Sequence, residues 1–120
     1  MTLAQIREMT MFQMGLDAED AADYQPHLTE YINEGYDRLA EAWCGRHVDD
    51  RCGFTPLTRD RAEPMLPQWT HRALADWAVW KLMLCGGAAR QTRGLPFRQS
   101  FEQTLSRLRR EGARRFRNWQ

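Results

Sequence analysis

The sequence has few of the features that a secreted or membrane-spanning protein requires. Its 120 residues include three cysteines, and residues 1–5 lack the basic region and the apolar core that open a secretory signal. No uninterrupted apolar stretch approaches the roughly 20 residues that a membrane-spanning helix needs. An odd number of cysteines without a secretory signal is typical of a reducing compartment. We therefore expect a cytosolic chain with free thiols and no membrane contact.

Recognisable catalytic motifs are also missing. His27, His47 and His71 have no partner motif, such as a serine elbow, that would activate a nucleophile. The pair Gly86-Gly87 follows a predicted helix and lacks the Lys-Ser/Thr of a phosphate-binding loop. We therefore predict no catalytic residues, no cofactor and a non-enzymatic function.

One cluster, formed by Cys44, His47 and Cys52, contains residue types that bind metals. A tetrahedral zinc site takes four Cys or His ligands, so His71 or Cys85 would have to complete the set. The spacing matches no familiar zinc finger, and no second ligand pair closes the site. The simpler interpretation is a small apolar cysteine at a helix end, followed by a loop. We predict no metal site, and a metal-dependent or thiol enzyme stays a minor alternative.

Apolar periodicity predicts an all-α fold, a small irregular bundle of four main helices with one long mid-chain loop. Thr2 is placed to cap a first helix that ends near Gly15, and residues 17–20 are expected to form a solvated acidic turn. The second helix should begin at Pro26, which suits a first turn, and end at Gly45.

The second half of the chain begins with the long loop, residues 45–66, of which parts should pack as a short hairpin or a tight turn. A third helix from Pro67 to Cys85 is apolar nearly all round, which places it centrally in a core or in contact with another subunit. After a loop at 88–94, the fourth helix should start around Pro96. The domain prediction is one helical unit, residues 1–120, with 107–120 as a basic C-terminal extension.

Charge is distributed unequally along the chain. Residues 90–120 contain nine arginines and two glutamates, a net charge of +7, whereas residues 1–89 contain eight basic and fourteen acidic residues, a net charge of −6. Such asymmetry indicates oriented assembly or an anionic partner for the basic part. Acidic and basic faces can also complement each other between neighbouring subunits. The acids of the second helix should lie on its exposed side, and they are Glu30, Glu34, Asp37 and Glu41.

The C-terminal end combines arginines with aromatic residues. Guanidinium groups bind phosphates and carboxylates, and aromatic rings stack on bases or anchor in protein pockets. A frayed, solvated terminus is the alternative. The five tryptophans of the chain are equally ambiguous, because large rings are common at interfaces but also fill thin cores. The candidate partner-binding residues are Arg107, Arg110, Arg114, Arg115, Phe116, Arg117 and Trp119.

Several stretches, in order along almost the whole chain, carry a family resemblance. They are the opening helix 3–7, the acidic turn 17–23, the segments 31–40 and 69–77, and the segment 97–105. Together they resemble the adaptor, or head-completion, proteins of tailed phages and prophages, which are head-to-tail connectors. The chain departs from that family in the long loop 45–66 and in its many tryptophans.

The resemblance implies a homo-oligomeric ring beneath the capsid portal, which extends the channel through which DNA passes without sequence-specific binding. The partners would be the portal protein and a tail-completion protein. The location would be the head–tail junction of the virion, and the host cytoplasm during assembly. A ring needs a heterologous interface between two different patches. Our hypothesis assigns the arginine-rich C-terminal segment, with Trp119 as anchor, to the portal. It assigns these residues to subunit contacts: Glu30, Glu34, Asp37, Glu41, Trp69 and Trp80.

A nucleic-acid-binding accessory protein that uses the arginine-rich C-terminal helix is the main alternative. Steeply salt-dependent binding to arbitrary duplex DNA would support it. The acidic remainder of the chain argues against it, and so does the absence of helix-turn-helix spacing.

Overall fold

The computed structural model describes residues 1–16, 18–44 and 54–118, and within these ranges the side chains of 18–22, 25 and 115–118 are not described. These ranges form four α-helices and one short 3-10 turn, without a β-strand. The predicted all-α bundle of four main helices is therefore confirmed. In chain order the elements are α1 (Leu3–Met14), α2 (Ala18–Cys44), the 3-10 turn (Gln68–Thr70), α3 (His71–Leu84) and α4 (Ala88–Asn118).

The first helix has the two ends that its sequence predicts. The Thr2 hydroxyl accepts a hydrogen bond from the Gln5 N–H at 3.2 Å, and the Gln5 side-chain oxygen accepts one from the Thr2 N–H at 2.9 Å. This reciprocal pair satisfies amide groups that the first turn of a helix otherwise leaves unpaired. Gly15 ends the helix with a φ of 68°, a left-handed conformation that glycine adopts without steric cost.

The second helix starts earlier than its proline predicts. It begins at Ala18 and contains Pro26 in its interior, so the predicted turn is wrong for residues 18–20, whose backbone is helical. An internal proline removes one backbone hydrogen bond and crowds the preceding turn. Packing of α2 against the rest of the bundle overrides this local cost, because helix propensity is a weak determinant beside tertiary contacts.

The fourth helix also starts earlier, at Ala88, so the predicted loop at 88–94 is wrong and Pro96 lies inside the helix. Gly94 explains the difference. A Cβ atom at this position would lie 3.1 Å from the Cβ of Met83, so the absence of a side chain lets α4 approach α3 closely. The glycine that indicates a loop in the sequence thus serves helix packing.

The core is centred on α3, of which residues 73–80 are all buried. This helix contacts each of the other three helices. It runs antiparallel to α4, since Met83 lies beside Gly94 and the Trp77 ring packs 4.7 Å from the Phe101 ring near the middle of both helices. The apolar periodicity that predicts a central third helix is therefore confirmed.

The connection between α2 and α3 is held by hydrogen bonds to the helices rather than by strand pairing. The Asn33 side chain accepts the Leu57 N–H at 2.7 Å and donates to the Leu57 carbonyl at 2.9 Å. The Tyr36 hydroxyl accepts the Met65 N–H at 2.9 Å. For residues 54–66 the hairpin alternative is wrong and the tight turn is confirmed, with the Ala62 N–H donating to the carbonyl of residue 59. Residues 45–53 lie outside the described ranges.

The molecule measures 51 × 30 × 22 Å along its principal axes. A helix of the length of α4 extends about 46 Å at the usual rise per residue. This length is comparable to the longest principal dimension of the molecule.

Candidate interaction surfaces

The arginine-rich end of the chain is helical backbone as far as Asn118, within α4. The side chains of Arg115, Phe116 and Arg117 and all of Trp119 lie outside the described part, so the structure does not bear on their predicted role. The partner-binding candidates with described side chains are Arg107, Arg110 and Arg114.

The predicted boundary at residue 107 does not coincide with any break in the fold. Leu108 is completely buried. A Cβ atom at Gly112 would lie 2.7 Å from the carbonyl oxygen of Trp43 and 3.1 Å from that of Ala42, at the C-terminal end of α2. The helix therefore packs on the body of the protein as far as residue 112.

Two of the predicted functional residues, Arg107 and Trp69, contact each other. The guanidinium carbon of Arg107 lies 3.9 Å from the centre of the Trp69 ring, and its Nε lies 3.2 Å from a carboxylate oxygen of Glu111. A cation above an aromatic ring contributes about 0.5–1 kcal/mol at exposed sites. The pair links α4 to the 3-10 turn that precedes α3, so each residue already has a partner inside the subunit.

Trp80, a predicted subunit contact, lies in the core of its own subunit. The residue is 8% exposed, and its ring packs 4.9 Å from the Trp77 ring and is covered by the Arg98 guanidinium at 4.4 Å. Arg98 also forms an ion pair with Glu102 at 3.7 Å. A neighbouring molecule would therefore meet the guanidinium of Arg98 rather than the tryptophan ring. For Trp77 and Trp80 the structure supports the core-filling interpretation.

The outward side of the C-terminal half of α4 carries Arg107, Arg110 and Arg114, hereafter the arginine row. These residues follow one another at steps of three and four, all three are exposed, and the row lies opposite the buried Leu108. Within the part of the chain that the structure describes, Arg110 and Arg114 have no carboxylate partner. Exposed cations near a helix C-terminus are also favoured by the helix dipole.

The outward side of α2 carries Glu30, Glu34, Asp37 and Glu41, hereafter the acidic row. Glu30, Asp37 and Glu41 are exposed, as predicted. Glu34 is more covered, because its carboxylate pairs with the Lys81 ammonium of α3 at 3.4 Å. The opposite side of α2 is buried against the core. The acidic row is thus a continuous negative face on a helix different from the one that carries the arginine row.

Two titratable groups are buried in positions that the sequence alone does not reveal. Burial raises the pKa of Asp76, a carboxyl on α3 that is 6% exposed and that accepts a hydrogen bond from the Ser100 hydroxyl of α4 at 3.0 Å. Burial lowers the pKa of His71. The His71 Nε2 donates to the Leu66 carbonyl at 2.9 Å, because that oxygen can only accept. Both residues occupy contacts between elements of the fold.

The cysteines differ from one another. Cys44 is disulfide-bonded, so the expectation of free thiols is wrong for this residue, whereas Cys85 is free and exposed. Among the described residues no group of three His, Cys, Asp or Glu side chains is arranged to hold a metal ion. His47 and Cys52 of the cluster considered for zinc lie outside the described ranges. In the same described part, none of the helices is long and apolar enough to cross a bilayer.

Comparison of the chain with family models, with curated proteins and with solved structures finds no match.

Proposed function

We propose that this chain is a structural subunit of a phage head-to-tail connector, which assembles with copies of itself beneath the portal and joins head to tail. The observation that carries the proposal is the pair of oppositely charged faces on two different helices of one subunit. The arginine row lies on α4 and the acidic row lies on α2. The proposal is also supported by the resemblance of segments 3–7, 31–40, 69–77 and 97–105 to adaptor proteins.

Oppositely charged faces on different helices suit a subunit that meets its neighbours in one orientation. Charge complementarity fixes register and excludes wrong partners more than it adds affinity. A contact between two different patches is heterologous, and repeating it generates a ring when the rotation between subunits closes. The proposed connector ring is such an assembly.

Attachment to the portal is assigned to the end of α4 beyond the packed body. Gly112 is the last residue of α4 whose contact with the core is described, and the sequence from Arg115 to Trp119 contains two arginines and two aromatic residues. Aromatic and arginine side chains are over-represented among residues that dominate binding energy at protein interfaces. In this proposal Trp119 is the anchor and Phe116 supports it.

Nucleic-acid binding stays the second candidate, because one observation favours it. Arg109, Arg110 and Arg114 are exposed and lack a carboxylate partner in the described part of the chain. Guanidinium groups bind phosphates as well as carboxylates. Binding of the isolated protein to arbitrary duplex DNA, with a steep loss of affinity as salt rises, would favour this function over portal docking.

The test of the connector function is attachment to tail-free, portal-containing capsids from the phage or prophage whose genome encodes the chain. Deletion of residues 115–120 should abolish co-sedimentation with these capsids while the helical circular dichroism signal stays unchanged. A deletion from residue 107 is unsuitable, because it would remove the buried Leu108. The matched control is Arg90→Glu with Arg93→Glu, a charge change at the other end of α4, which should leave attachment intact. Attachment that survives the deletion would contradict the assignment, and a genome without portal and capsid genes would contradict the function.

A further inference from the structure

We infer that the contact between the His71 ring and the Met1 nitrogen, hereafter the N-terminal contact, is an acid-sensitive switch. The neutral ring holds residues 1–4 against the body of the protein, and protonation of the ring releases them. Release exposes Leu3, which is otherwise completely buried. The inference goes beyond the proposed connector function and does not depend on it.

Two hydrogen bonds fix the protonation state of the His71 ring. Its Nε2 lies 2.9 Å from the Leu66 carbonyl oxygen, which can only accept, so Nε2 carries a proton. Its Nδ1 lies 2.8 Å from the Met1 nitrogen, an ammonium group that can only donate, so Nδ1 carries none. The N-terminal contact therefore requires the neutral ring, because a protonated ring would direct a second N–H at the Met1 nitrogen.

The surroundings of the ring disfavour its charged form. His71 is 2% exposed, and this burial lowers its pKa from the ordinary value of 6.5. Among the described residues, the charged groups that act on the ring are the Met1 ammonium, which lowers the pKa, and the Glu63 carboxylate, which raises it. Glu63 is 54% exposed, so solvent screens its compensating charge. Protonation would thus add a buried positive charge beside another one.

The start of α1 is joined to the connection between α2 and α3 next to this ring. The Leu3 N–H donates to the Ala62 carbonyl at 2.8 Å, and the Ala4 N–H donates to the Asp60 carbonyl at 3.1 Å. His71 extends this contact, since it holds the backbone nitrogen two residues before Leu3. Loss of the N-terminal contact should therefore loosen these two backbone hydrogen bonds first.

The direction of the pH effect follows from the lowered pKa. When residues 1–4 are released, the His71 ring meets water and binds a proton near pH 6.5, whereas the closed form binds one only at lower pH. The closed form has its full advantage above pH 6.5 and loses it as pH falls. From about pH 7.5 to about pH 5.5, the equilibrium constant for opening should rise by about three- to tenfold, since one proton gives at most tenfold per pH unit.

Amide hydrogen exchange, measured by NMR on the full-length protein, tests the inference. The probes are the amides of Leu3 and Ala4, whose exchange rates, divided by the intrinsic rates at each pH, give the equilibrium constant for opening. At both pH values these amides should open more often than the amide of Leu105 in α4, because their opening is local and does not require global unfolding.

His71→Gln separates the titration from the hydrogen bonds. Its amide group can donate to the Leu66 carbonyl and accept from the Met1 nitrogen, but it does not titrate. In this variant the opening of the two probe amides should rise less than about threefold over the same pH range. The matched control is His27→Gln, which removes an exposed histidine of α2 and should keep the rise of the unmodified protein.

Three results would overturn the inference. The first is a rise of less than about threefold in the unmodified protein. The second is a rise of about threefold or more in His71→Gln. The third is exchange of the Leu3 and Ala4 amides only as slowly as that of Leu105, which would mean that residues 1–4 open by global unfolding alone. If His71→Gln does not fold, NMR titration of the unmodified protein replaces it, and a His71 ring that titrates at or above pH 6.5 would overturn the inference.

Discussion

Replacing Gly112 by alanine should destabilise the protein, whereas the same replacement at Gly94 on the same helix should have little effect. Both positions lie inside α4, where alanine is favoured over glycine by about 1 kcal/mol. They differ in what the new methyl group meets. At Gly112 it meets the backbone carbonyl of Trp43 at 2.7 Å, and at Gly94 it meets the side chain of Met83 at 3.1 Å.

The expected magnitude follows from these distances. Ordinary van der Waals contact begins near 3.4 Å, so the neighbour must give way by about 0.7 Å at Gly112 and by about 0.3 Å at Gly94. Overpacking costs about 1–3 kcal/mol, and the upper end applies where the obstacle is helix backbone, which cannot rotate away. After the gain in helix propensity, Gly112→Ala should lose about 2 kcal/mol of unfolding free energy. Gly94→Ala should stay within about 1 kcal/mol of the unmodified protein.

Urea unfolding followed by far-ultraviolet circular dichroism measures both variants against the unmodified protein. For a domain of this size, a loss of about 2 kcal/mol corresponds to a melting temperature about 8 °C lower. If Gly112→Ala were as stable as Gly94→Ala, α4 would not press on the end of α2. The rigid placement of the arginine row would then lose its structural basis.

Three further predictions test the packing that supports the charged faces. Burial raises the pKa of Asp76, so the contribution of its carboxyl group to folding stability is present below the unfolded value of 3.8 and is lost as pH rises through the folded value. Asp76→Asn does not titrate, so it should gain stability relative to the unmodified protein as pH rises above 3.8. Urea unfolding at several pH values measures the difference in unfolding free energy between the two proteins, and a difference that stays constant with pH would contradict this prediction. Asn33→Ala should cost about 2 kcal/mol, since it leaves the Leu57 N–H and carbonyl without their partner, and an unchanged thermal melt would refute the role of Asn33. Phe101→Ala should lower the unfolding free energy by about 3–5 kcal/mol, because Phe101 is fully buried. A smaller loss of stability in a thermal melt would show that the packing of α3 against α4 does not depend on Phe101.

Local signals predict those parts of the fold that depend on neighbouring residues alone. Thr2 with Gln5 and Gly15 define both ends of α1, because a cap and a left-handed glycine act within a few residues. The central position of α3 follows from its nearly continuous apolar surface.

The starts of α2 and α4 depend on contacts that the sequence does not display. Pro26 and Pro96 favour helix starts locally, but both lie inside helices that packing stabilises. Gly94 favours a loop until its contact with Met83 is known. In each case a tertiary contact outweighs a local preference of about 1–3 kcal/mol.

The candidate surfaces were predicted in part. The acidic row follows from helical periodicity, because charged positions three and four residues apart share a face. The pairing of Arg107 with Trp69 and the burial of Trp80 could not be predicted, since both depend on how α3 and α4 align. A tryptophan in a sequence carries no sign of whether its ring fills a core or meets a partner.

The connector function is tested most directly by electron microscopy of portal-containing, tail-free capsids incubated with the purified protein. We expect a ring of this chain at the portal vertex, with the C-terminal segment of each subunit directed toward the portal. Capsids whose portal vertex stays bare, in the presence of folded protein at saturating concentration, would contradict the account.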